Sequence, residues 1–216
     1  MGRAVMIVGN GPVGPEGLRQ TVDADLVVRF NDCRSAGDTA TRTDVVVVCN
    51  TGRPGKKMLE DPSWRGHAAV ASAREIWCVR DPRKFAEMRE PLAVSHPELD
   101  DFCDDYTDGF RSFSEAEGKG FRVIPREVHE RLDKALTALS PVPYVVPSTG
   151  LVTIADLMEN HLAEDDRILL AGFSHQGWEW HPWEAERLYL EPYEASGFIT
   201  RIRENEQQRP GSGEQG

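Results

Sequence analysis

The sequence predicts an α/β protein: a single Rossmann-like, doubly wound domain with a mostly parallel sheet. Three observations carry this. Short apolar runs such as Val45–Val48 are continuous rather than alternating, the pattern of strands covered on both faces. Helical patterns lie between several of these runs, which implies right-handed crossovers. Glycine and short polar residues follow the runs, where an open α/β sheet gathers its ligand-binding loops.

Taken in order, Arg3–Val8 is the first strand and runs into Gly9-Asn10-Gly11-Pro12. Leu26–Phe30 is the second, ending at Asn31-Asp32, and Asp44–Cys49 the third, ending at Asn50-Thr51-Gly52. Glu75–Val79, Tyr144–Val146 and Arg167–Gly172 add three more, and Phe198–Ile202 is a candidate edge strand. Helices are expected over Pro125–Leu139 and Leu151–Leu162. Segment Asp81–Gly120, acidic and aromatic with no clear strand, is expected to be part of an irregular or helical insertion (81–140), a natural lid. The expected domain is 1–203, with a polar, disordered tail over 204–216.

Composition narrows the partners. A net charge of −11 over 216 residues argues against nucleic acid, whose binders carry a basic footprint. No run is apolar enough for a membrane span and no signal peptide opens the chain, so a cytoplasmic protein is expected. Cys33, Cys49, Cys78 and Cys103 show no C-x-x-C spacing, and three of them lie in or beside apolar runs as small hydrophobes. Asp23-Ala24-Asp25 spells the D-x-D of metal-nucleotide sites but precedes a strand, so Asp25 reads as a strand-start residue on the wrong rim. The acidic run Asp100–Asp105 reads as a solvated face.

The candidate site comes from the loops. Pro147-Ser148-Thr149-Gly150 opens a helix and offers unpaired backbone N–H groups to an anion. His175 and His181 follow the next strand as proton-handling groups, and Trp178 and Trp180, with Trp183, could stack on a sugar face or complete the core. His181-Pro182 also suits a simple helix start. Asn10, Asn31, Asn50, Ser148, Thr149 and His175 should meet on one rim of the sheet. Gly9-Asn10-Gly11-Pro12-Val13-Gly14 matches G-x-G-x-x-G, with Asp32 placed for a ribose. Pro12 and Pro15 interrupt that turn, and too few residues follow for the usual crossover helix, so an NAD(P) or FAD oxidoreductase is a minor alternative.

Three motifs in order resemble those of the sialyltransferases of glycosyltransferase family 29. Ile7-Val8-Gly9-Asn10-Gly11 with Val22–Asn31, Gly37 and Thr41–Asp44 is similar to the large sialylmotif. Pro147–Leu151 through Ile168–Phe173 is similar to the small one, and His181-x4-Glu186 to the very small one. The resemblance implies a GT-A-like variant of the fold and an inverting, metal-independent sialyltransferase, with a CMP-activated sugar as donor and a glycan or small molecule as acceptor. It implies that Gly9, Asn10, Gly11, Asn31, Ser148, Thr149 and Gly150 hold the donor nucleotide. His181 would be the base, His175 would stand near the leaving phosphate, and Trp178, Trp180 and Glu186 would meet the acceptor. No cofactor beyond the donor substrate is implied. The cysteines joining the large and small motifs in secreted members are absent, as in a cytosolic form. The alternative is a non-catalytic nucleotide- or glycan-binding accessory protein on the same fold.

Overall fold

A computed structural model of the chain describes residues 2–36, 42–173 and 177–202. Seven strands form one sheet among these residues, every neighbouring pair parallel: β1 (Ala4–Val8), β2 (Leu26–Phe30), β3 (Val45–Val48), β4 (Glu75–Cys78), β5 (Gly120–Val123), β6 (Arg167–Ala171) and β7 (Ile199–Arg201). Their spatial order is β5-β4-β3-β2-β1-β6-β7, so the direction of winding reverses at β1. The helices are α1 (Pro15–Asp23), α2 (Gly52–Glu60), α3 (Pro62–Gly66), α4 (Ala68–Ser72), α5 (Pro82–Ser95), α6 (Thr107–Ala116), α7 (Arg126–Leu139), α8 (Thr149–Asn160) and α9 (Trp183–Ala195).

Strand side chains alternate between faces, and each face meets its own helices. Val5, Ile7, Val28, Val45 and Val47 pack with Val128, Leu132 and Leu136 of α7, Leu151 and Ile154 of α8, and Leu190 of α9. Val46, Val48, Ile76 and Cys78 pack the other way, on Met58, Trp64, Val70, Phe110 and Phe113. Ala4, Met6, Val8, Val27 and Leu169 continue that second face, where the Gly17 of α1 lies against Ala171. With both faces covered, the central strands are buried throughout, which is why their sequences are uninterrupted Val, Ile and Leu. Burying each such side chain contributes about 1.5–3 kcal/mol.

Helix starts obey local chemistry. The Asp81 carboxylate accepts from Lys84 N at 2.9 Å before Pro82, and Asp61 accepts from Ser63 N at 2.8 Å before Pro62, each an acidic cap with proline at the first helical position. Asp25 accepts from Ala4 N at 2.7 Å and so is a strand-start residue, facing away from the loops discussed below.

Several expectations change. Tyr144–Val146 is not a strand: prolines at 141, 143 and 147 flank it, and Val145 N bonds to Trp180 O in an extended loop. The region read as an insertion contributes β5, whose register with β4 runs from Glu75↔Gly120 to Cys78↔Val123. A nine-residue crossover helix does form after the first glycine turn, because Pro15 takes its first position instead of breaking it. All four cysteines are buried and free. Gly37 and Thr41, the histidine at 175 and the tail 204–216 lie outside the described residues.

Candidate functional site: a crevice along the strand ends

The loops after β1, β2, β3 and β4 border two connected cavities. One, of about 550 Å³, is lined by Asn10, Asn31, Asp32, Lys57, Trp64 and His67 among others. The second, of about 360 Å³, is lined by Thr51, Arg80, Phe102, Thr149, Trp178 and His181 among others. Asn31, Arg53 and Pro54 border both, so they form one crevice on the carboxyl rim of the sheet.

Asn10 donates through Nδ2 to Phe30 O at 3.2 Å and to Asp32 Oδ1 at 3.1 Å. Both partners are acceptors, which fixes the amide orientation and leaves Oδ1 buried without a donor among the described residues. Asn31 sits at φ +51°, a left-handed conformation that asparagine tolerates. Its Oδ1 accepts from Cys49 N at 2.8 Å and its carbonyl from Trp64 Nε1 at 2.8 Å, so the residue ties β2 to β3 while lining both cavities. Asn50 is inside rather than on the rim. It bonds Arg80 N and O through its amide, at 2.8 and 3.0 Å, and thereby holds the exit of β4.

The glycines have a packing role. A Cβ on Gly9 would lie 2.3 Å from Gly172 O, one on Gly11 2.8 Å from the same oxygen, and one on Gly150 2.6 Å from the Phe173 ring. The loop after β1 therefore lies directly against the loop after β6, with Gly9 N bonded to Ala171 O and Gly11 N to Gly172 O.

Ser148 caps α8, its Oγ accepting from Leu151 N at 3.2 Å. The same hydroxyl donates to Glu186 Oε2 at 2.7 Å, and Ser148 N donates to Glu186 Oε1 at 2.6 Å. Glu186 is 1% exposed, so it supports the helix start and does not reach a ligand, contrary to its expected acceptor contact. Burial pushes its carboxyl up to about 7 against the pull of the Ser148 hydrogen bonds. Ser148→Ala should lower unfolding free energy by about 1–2 kcal/mol in urea titration, from the lost cap and an underbonded Glu186.

His181 contacts Val146 O through Nδ1 at 2.8 Å and stands edge-on between Trp178 and Trp183, ring centroids 5.0 Å from each. Since a carbonyl only accepts, Nδ1 carries the proton and Nε2 is left as an acceptor. Burial, reinforced by the charge of Arg80, holds the ring down at about 4. Trp178 stacks on Phe102 at 5.6 Å, and Trp180 packs on His96 at 4.5 Å outside the crevice lining. Of the expected residues, the structure thus gathers Asn10, Asn31, Thr149, Trp178 and His181. It turns Ser148 and Glu186 toward each other and leaves Trp180 aside. Sequence reasoning missed Arg80, Arg53 and Thr51, although the rule that found Asn10 and Asn31 also marks the polar residues after β3 and β4.

Among the described residues, no group of three or more His, Cys, Asp or Glu side chains is placed to hold a metal ion. None of their helices is long and apolar enough to cross a membrane.

No family model matches the chain. Its architecture is similar to that of a mammalian sialyltransferase, solved alone and in complex with Gal-beta-1-3GalNAc-ortho-nitrophenol, with a TM-score of 0.50 over 94% of this chain and 70% of that one. At 15% identity this likeness defines the class, a doubly wound α/β fold, and nothing finer. In sequence the chain is 54% identical, over 202 residues and 93% of each protein, to the urease operon 23 kDa accessory protein of Rhizobium meliloti (strain 1021). The chain belongs to the family of that accessory protein. This membership overturns the reading as a sialyltransferase, and with it the glycosyltransferase activity and CMP-sugar donor: the family is that of an accessory protein.

Proposed function

We propose that the protein is a non-catalytic nucleotide-binding accessory protein that serves the urease operon through protein partners in the cytoplasm, with no resident metal or cofactor. The observation that carries the nucleotide is the buried, donorless Oδ1 of Asn10 beside the exposed carboxylate of Asp32, at the ends of β1 and β2. An unmet buried acceptor costs about 1–3 kcal/mol, which a ligand hydroxyl would recover. A ribose offers such hydroxyls, and Asn31, which borders both cavities, extends the same wall toward Thr149 at the start of α8. The accessory role is supported by the name of the relative and by the locked Ser148–Glu186 pair, which leaves His181 without a carboxylate partner among the described residues.

The test has two arms. Nucleoside monophosphates and NAD are titrated while the melting temperature is followed, with stabilisation of about 2.7 kcal/mol expected for a binder at a hundredfold over its Kd. Asn10→Leu should abolish the shift. Deleting the gene in its host should lower urease activity in cell extracts. No shift with any nucleotide sinks the ligand, and unchanged urease activity sinks the role.

A further inference from the structure

Arg80 is 4% exposed, yet no described carboxylate pairs with it and its Nε has no hydrogen-bond partner. The neighbouring acids are committed elsewhere: Asp81 to Lys84 N at 2.9 Å, Asp101 to Arg53 at 2.8 Å, Asp104 to Arg89 at 2.8 Å and Asp105 to Thr107 N at 2.9 Å. The guanidinium lies over the rings of Phe85 and Phe102, at 4.7 and 5.4 Å, and Asn50 grips its backbone from both sides. Ring contacts offset only part of the cost of a buried charge without a counterion. Thr51, on the same cavity wall, is 1% exposed and its hydroxyl also lacks a partner. Thr149, in the first turn of the twelve-residue α8, lines that cavity too. Glu186 already holds the Ser148 donors, so the amides of Thr149 and Gly150 are the ones left at this helix start.

We infer that Arg80, the Thr51 hydroxyl and the first turn of α8 form a receptor for a phosphate monoester. It takes the phosphate end of the ligand whose sugar lies at Asn10, and in that respect it rests on the nucleotide reading. A fixed guanidinium on an aromatic platform suits the fork geometry of phosphate oxygens, and the hydroxyl and amides supply the remaining donors.

The probes are inorganic phosphate, AMP and adenosine, titrated by calorimetry into the parent, Arg80→Met and Thr51→Val. Methionine keeps an unbranched apolar stem on the Phe85 and Phe102 rings, so the unliganded variant should melt no lower than the parent. Phosphate should bind the parent and lose at least about tenfold in affinity to Arg80→Met, with a smaller loss in Thr51→Val. AMP should lose a similar factor while adenosine is unaffected. Absence of phosphate binding to the parent, or equal phosphate affinity in the parent and Arg80→Met, overturns the receptor. If Arg80→Met does not fold, unchanged phosphate affinity in Thr51→Val overturns it instead. Phosphate binding that depends on Arg80, with AMP no tighter than phosphate and no adenosine binding, upholds the receptor and discards the nucleotide.

Discussion

Glu186→Gln should gain stability over the parent as pH rises, by about 2–3 kcal/mol between about pH 5 and pH 8. The parent carboxyl, buried at 1% exposure, is raised from an ordinary 4.5 to about 7. A group whose folded pKa exceeds its unfolded one stabilises below the unfolded value, and that contribution disappears as pH climbs through the folded value. Each unit of difference corresponds to about 1.36 kcal/mol, so the charged glutamate is a growing burden from about pH 4.5 to pH 7. Glutamine escapes it and keeps the geometry: its oxygen accepts from Ser148 N, and its amide donates to Ser148 Oγ. Urea unfolding of both proteins across this range reads the difference directly. Parallel stability curves would show that Glu186 is charged in the fold at no cost.

On the acid side the sign reverses. His129 is 2% exposed, its Nε2 is 2.8 Å from Val79 O, and burial, helped by the charge of Arg80, lowers its pKa from 6.5 to about 4. Its contribution is complete above about pH 6.5 and is lost as pH falls toward pH 4, on the order of 3 kcal/mol. His181 acts in the same window and the same direction, but it is only half-buried and water screens it, so its share is smaller. His129→Gln, which can still donate to Val79 O, should flatten the loss between about pH 6.5 and pH 4 relative to the parent. An equal acid loss in both proteins would move the cause to other groups.

What could be read from the residues follows from which signals are local. Val45–Val48 and Ile168–Leu170 announce central strands because nothing polar interrupts them. Ser148 announces a helix start because cap and first turn are neighbours in sequence, whereas the equally local cap at Asp81-Pro82 was absorbed into the insertion expected over 81–140. Gly120–Val123 was missed since an edge strand is half-exposed, and its Arg122 reads as surface although it pairs with the buried Asp156. Tyr144–Val146 misled because three apolar residues outweighed the prolines around them. In the site, Asn10, Asn31 and Thr149 were legible from their places after strands and before a helix. Arg80 stands after β4, where the same rule looks, but an arginine there reads as solvated until its missing counterion is seen in three dimensions. The motif resemblance identified the fold correctly and the activity wrongly, as residues that shape loops are shared more widely than chemistry.

The interior position of β1, between β2 and β6, has a consequence for how the chain assembles. One flank of this strand is completed by β2, close in sequence, but the other waits for β6, whose pairing runs from Ala4↔Arg167 to Val8↔Ala171. During synthesis the ribosome must therefore deliver most of the protein before the first strand is sealed, and the Gly9 and Gly11 amides gain their carbonyls only then. Such high contact order slows folding and leaves an apolar ribbon edge open in the nascent chain. Truncation before Arg167 should thus yield an aggregating fragment rather than a smaller folded one.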